Sequence, residues 1–254
     1  MKNRIAVMLA VSLLFSSFLM AQSQSQTQDQ SQSGLGGLLK KAESAMGQKK
    51  STGLSNDKIT AGLKEALKVS TGKAVAMTGR PDGFLKNEAI KILLPPKLQT
   101  VSKGLRMAGM GAQVDELEVG MNRAAEKAAP AAKQIFLNAL LKMTFSDARQ
   151  ILSGGDTAAT AYFKKTSTAD LTTAFTPTVH QAMESVGVVR QYNQLMKNPM
   201  AASLAGRQNL NLDSYVVGKT LDGLFYVLGQ EETKIRKDPA AQTTNLLKEV
   251  FGRK

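Results

Sequence analysis

The residues best spaced for chemistry lie in DELEVGMNRAAEKAAP, residues 115 to 130. At helical periodicity Glu118, Asn122 and Glu126 recur every four residues and share one face, with Asp115 a turn earlier and Arg123 alongside. Leu117, Met121, Ala124 and Ala128 form the adjoining apolar stripe, which would draw part of the polar one inward. A second set, Glu231, Glu232 and Arg236, sits near the end of another helical pattern, and Glu232 with Arg236 makes an i, i+4 pair close to Leu228 and Ile235. If those two helices pack, Glu118, Asn122, Arg123, Glu126, Glu232 and Arg236 could form one hydrogen-bonded charge network.

Four chemistries fit such a cluster. The preferred reading is structural: a network that fixes helix register, since removing one partner of a buried ion pair costs roughly 3 to 5 kcal/mol. Carboxylates with an amide could instead line a small-ligand pocket. They could also hold a hard cation through oxygen ligands, although no DxDxDG-type loop is present and the arginines would repel the ion. A carboxylate pair could do general acid and base work, as in glycoside hydrolysis, but helical spacing alone supports that weakly.

Composition removes much else. The chain of 254 residues has no Cys, one His and no Trp, so thiolate metal sites, disulfides, cysteine nucleophiles and multi-histidine metal sites are excluded. His180 has no Ser or Asp at a recognisable nucleophile spacing and reads as a surface or packed histidine. GxSxG, GxxxxGK[ST], HExxH and GxGxxG are all absent. The SGGD glycines could expose amides to an anion where a helix begins, but a glycine pair there is more often a helix stop. No cofactor and no metal are expected.

The elements that must position these residues are helices. From Leu35 onward apolar residues recur at helical spacing, cut into segments by Gly, Pro and capping residues. Ser55 reads as the N-cap of a helix to about Met77, and GRPDG, residues 79 to 83, as a turn. Ile90, Lys91 and Ile92 alternate briefly before Pro95 and Pro96, making the only strand candidate. Pro96 opens a helix, another runs from about Ala112, and Pro130 kinks that one or starts a new one. Thr144 with Asp147 resembles a capping box, Asp156 is placed to cap the following helix, and Thr176-Pro177 reads as a further helix start. Residues 197 to 211 are loop-like, a long helix runs from about Asp213 to Lys237, and Asp238-Pro239 begins a terminal one. The fold class is all-α, a single multi-helix domain with at most a short extended β pair.

The amino-terminal residues predict export. Lys2 and Arg4 precede an apolar run too short to span a bilayer, followed by the polar QSQSQTQDQSQS. Residues 1–21 read as a signal peptide and residues 22–34 as a disordered Gln/Ser tether. Residues 35–50 read as a short basic amphipathic helix, which either packs on the domain with its lysines solvated, the preferred reading, or lies on an anionic membrane surface through Leu35, Leu38, Leu39, Lys40 and Lys41. The expected location is the periplasm, soluble or peripheral, and the absence of Cys excludes a lipoprotein anchor. The net charge of +13 is scattered over helical faces without a recognition motif, which disfavours nucleic acid.

GLSNDKITAGLKEAL, GRPDGF, IKILLPPKL, MNRAAEKAAP, MTFSDARQILSGGDTAATAYF, YVVGKTLDGLF and QEETKIRKDP, in this order, resemble the bacterial family catalogued as domain of unknown function 4197, over residues 53–252. The resemblance implies an exported, mostly helical protein. It brings no assigned activity, so no catalytic or binding residue is carried over. The reading is thus an exported helical protein of the bacterial envelope, a non-enzymatic binding or interaction module with an unidentified partner, an envelope protein or an anionic membrane surface. The alternative is an enzyme or a small-ligand or cation-binding protein using the carboxylate, Arg and Asn cluster.

Overall fold

The computed structural model describes residues 55–197 and 211–242, together with residues 199, 202 and 248. The signal peptide, the tether, the 35–50 helix and most of the expected terminal helix lie outside the described residues. Eight α-helices occur among those described: α1 (Asn56–Gly79), α2 (Pro96–Met107), α3 (Gly111–Ala128), α4 (Ala132–Lys142), α5 (Phe145–Ser153), α6 (Ala158–Ser185), α7 (Val188–Met196) and α8 (Leu212–Lys237). Single 3-10 turns at Ala129–Ala131 and Pro239–Ala241 complete them, and no strand is present among the described residues. The fold is all-α, and the described residues make one compact unit.

Local sequence accounts for most boundaries. The Ser55 hydroxyl accepts from the Lys58 amide at the start of α1, and Pro96 opens α2. Thr144 and Asp147 form the reciprocal capping box of α5, with Asp in the usual Glu place. Asn211 caps α8 through the Ser214 amide, and α6 stops where Gly187 takes a φ of +76°.

Three expectations fail. Pro177 does not start a helix but sits inside the 28-residue α6. Its position late in α6 is flanked by threonines that hydrogen-bond backward, including Thr176 to the Thr172 carbonyl at 2.8 Å, and both faces of the proline turn continue into packed residues, Phe175 and Val179. Asp156 does not cap α6; Thr157 is the N-cap residue and makes no side-chain cap bond, because a carboxylate from another helix takes that place. The segment Ile90–Ile92 does not form a strand, for a reason given below.

The long α8 packs along α6 and α1 and also meets α3, while α3 meets α6 and α4 meets both α1 and α6. The rings of Phe136 on α4, Phe163 on α6 and Phe225 on α8 meet in the core, Phe136 and Phe163 edge to face at 5.1 Å. The buried hydroxyls of α1 are satisfied by their own helix. Ser70, Thr71 and Thr78 of α1 are buried and donate to the carbonyls of Ala66, Leu67 and Ala74 at 2.7–2.9 Å. No helix among the described residues is long and apolar enough to cross a membrane.

Candidate functional site

The Glu118, Asn122 and Glu126 stripe lies on α3, and every member receives backbone groups from the connector between α1 and α2. Glu126 Oε1 accepts from the Phe84 and Leu85 amides, both at 3.1 Å. Asn122 Oδ1 accepts from the Ile92 amide at 2.8 Å, and its Nδ2 donates to the Ile92 carbonyl at 2.8 Å. Glu118 Oε1 accepts from the Leu94 amide at 3.4 Å. The extended segment around Ile92 therefore pairs with a side-chain amide on a helix, and its expected strand partner is replaced by Asn122, which is fully buried. From α8, the Tyr215 hydroxyl donates to the Leu93 carbonyl at 2.9 Å.

The start of the same connector is held by charge. Arg123 donates to Glu126 Oε2 at 2.6 Å and to Asp82 Oδ1 at 2.7 Å, while Lys86 lies 2.7 Å from Asp82 Oδ2. Lys86 first and Arg123 second hold the Asp82 carboxyl below its ordinary value of 3.8. Asp82 itself adopts a φ of +64°, which an Asp tolerates better than most residues. At Gly83 a Cβ would come within 2.3 Å of the Met77 carbonyl oxygen, so the turn has no room for a side chain. The following residue, Phe84, is fully buried over α8, where a Cβ at Gly223 would meet its ring at 2.5 Å.

Glu232 and Arg236 act at a different place. Glu232 Oε1 accepts from the Ala159 amide at 2.8 Å, and Oε2 accepts from the Thr160 amide at 2.7 Å and its hydroxyl at 2.8 Å. The carboxylate thus caps the N-terminus of α6 from α8, where a negative group is favoured by the helix dipole. Arg236 donates to Glu232 Oε1 through Nε and Nη2, at 3.1 and 2.9 Å, and to the Ile151 carbonyl in the last turn of α5 at 2.8 Å. One ion pair therefore serves the positive end of one helix and the negative end of another. Of the two readings of the SGGD glycines, the helix stop holds at Gly154, the C-cap residue of α5.

The six residues singled out by spacing fall into these two sets. Glu118, Asn122, Arg123 and Glu126 dock the connector on α3; Glu232 and Arg236 join α8 to α5 and α6. The cavity beside Glu232 and Arg236, lined also by Ala66, Leu67, Ser70 and Ile235, measures only about 10 Å³. That is about the minimum for one water. The neighbouring Glu231, also buried, pairs with the exposed Lys234 at 2.7 Å.

A groove of about 660 Å³ lies elsewhere, between the N-terminal half of α6 and the middle of α8. Phe225, Tyr226, Gly229, Gln230 and Thr233 contribute from α8, and Thr157, Thr160 and Lys164 from α6. A smaller hollow against Leu93 and Tyr215 shares Asp222 and Tyr226 with it. Spacing did not single out these residues, because their positions on two helices converge only after folding. His180 marks the far end of the same helix pair: its Nδ1 lies 2.6 Å from Asp213 Oδ2 and its Nε2 3.5 Å from Glu184. The hydrogen bond to Asp213, with both carboxylate charges, raises the His180 pKa above its ordinary 6.5.

No curated protein and no solved structure matches the chain. A family model does, described as a protein of unknown function (DUF4197), and its match covers residues 53–252. That span takes in the docked connector, the Glu232 clamp and the α6–α8 groove, and on it the chain belongs to the DUF4197 family.

Proposed function

We propose that this protein is an exported, non-enzymatic binding module of the bacterial envelope, with its binding surface along α8 where it borders α6. What carries the reading is the employment of the clustered carboxylates. Glu126 and Glu232 each accept two backbone amides and an arginine, and general acid–base chemistry needs a group that can reach a substrate proton. With those acceptors committed to the connector and to the α6 terminus, the cluster behind the enzyme alternative supports the structural reading instead. The groove between α6 and α8 is of the size that small-ligand sites usually have, roughly 300–1,000 Å³.

The test is a turnover screen with ester, glycoside, phosphate and peptide substrates. No turnover above buffer is expected. Turnover that is abolished by Glu126→Gln or Glu232→Gln, in variants whose circular dichroism is unchanged, would replace the binding module with an enzyme.

A further inference from the structure

We propose that the α6–α8 groove binds a single-chain anionic amphiphile, an alkyl chain ending in one carboxylate. This deepens the binding-module reading and rests on it. The floor is apolar, made by Phe225 and the bare backbone of Gly229. The walls look polar by residue type but are committed internally. Thr160 gives its hydroxyl to Glu232 at 2.8 Å, Thr233 gives its own to the Gly229 carbonyl at 2.9 Å, and Gln230 donates to the Tyr226 hydroxyl at 3.1 Å. Methyl, methylene and ring groups are most of what remains for a ligand, beside the Tyr226 hydroxyl hydrogen, which its bond from Gln230 leaves free to donate. A sugar, a nucleotide or an extended peptide would find few groups to satisfy its hydrogen bonds and would lose them on binding.

Charge selects the head group. At the rim Lys234 is paired with Glu231 at 2.7 Å and Asp222 with Lys219 at 3.4 Å. Lys164 lines the groove, and no ion pair of its ammonium is found among the described residues. One apolar trough with one uncommitted cation suits an alkyl chain with a single negative end, and a lysine can reach such a head while its stem lies along the chain.

The experiment titrates the folded protein with laurate and, separately, with dodecyltrimethylammonium, both below their micelle concentrations, by isothermal calorimetry. Laurate is expected to bind with one site and to be preferred over the cation. Gly229→Leu fills the floor: a Cβ at 229 meets Thr157 Cγ2 at 3.5 Å and Thr160 Oγ1 at 3.7 Å, ordinary contact, so the longer side chain enters the trough. It should weaken laurate at least about tenfold while the melting temperature holds. Lys164→Glu, on an exposed position, should weaken laurate about fivefold and remove the preference for the anion.

No saturable laurate binding, or binding that survives both substitutions, overturns the proposal. A synthetic amphipathic helical peptide that binds the groove and is not displaced by laurate overturns it too. None of these outcomes touches the binding-module reading, which fails on catalytic turnover.

Discussion

Asn122 holds both backbone groups of Ile92 with one amide, so the chain satisfies a buried extended segment without a second strand. Asn122→Leu keeps the volume roughly but leaves that N–H and C=O unpaired, and the expected loss is about 2–6 kcal/mol, since each stranded group costs about 1–3 kcal/mol. Urea unfolding checks this: the midpoint should fall at an unchanged slope, and a loss under about 1 kcal/mol would mean that water takes over the amide's role. For Glu232→Ala the expected loss is about 3–5 kcal/mol, because the substitution removes the carboxylate partner of the largely buried Arg236 and leaves two helix amides without their acceptor. Glu232→Gln keeps an acceptor and should cost less; equal losses in thermal melts would contradict the capping role. The sequence pointed to these residues through their four-residue spacing but could not name their partners. Backbone amides of Phe84, Leu85, Ile92 and Leu94 carry no residue-type signal, so a docking stripe reads the same as a ligand site until the connector is in place.

At the scale of elements, the helices follow from caps and periodicity wherever the deciding group is local, as with Ser55, Pro96, Thr144 and Asn211. They escape where it is distant, as with the Glu232 cap on α6. Glycine positions within α8 separate the two kinds of constraint. Gly218 is exposed and a Cβ there meets nothing within 4 Å, so Gly218→Ala should stabilise by about 0.5–1 kcal/mol through helix propensity alone. At Gly223 the Phe84 ring stands where the methyl would go, and Gly223→Ala should destabilise by about 1–3 kcal/mol by overpacking. The pair, measured by denaturation on one preparation, tests whether the connector is clamped against α8; a stabilising Gly223→Ala would show that it is not.

At the scale of the whole molecule, α6 and α8 lie antiparallel and are pinned near both ends, by Glu232 on the Ala159 and Thr160 amides and by His180 with Asp213. At ~1.5 Å per residue the pins stand about 30 Å apart, with the groove nearer the first. The second pin titrates. His180 has a folded pKa raised above 6.5, so the stability it contributes is fully present below about pH 6.5 and is lost as pH rises through the folded pKa. His180→Gln should therefore lower the melting temperature most at mildly acid pH and progressively less toward alkaline pH, where the wild-type imidazole is neutral as well. Asp213→Asn should flatten the same difference, because Asp213 supplies the largest part of the shift. A gap between wild type and His180→Gln that stayed constant from pH 5.5 to 9 would mean that the histidine acts by packing, and that the α6–α8 pair owes its register to the Glu232 end alone.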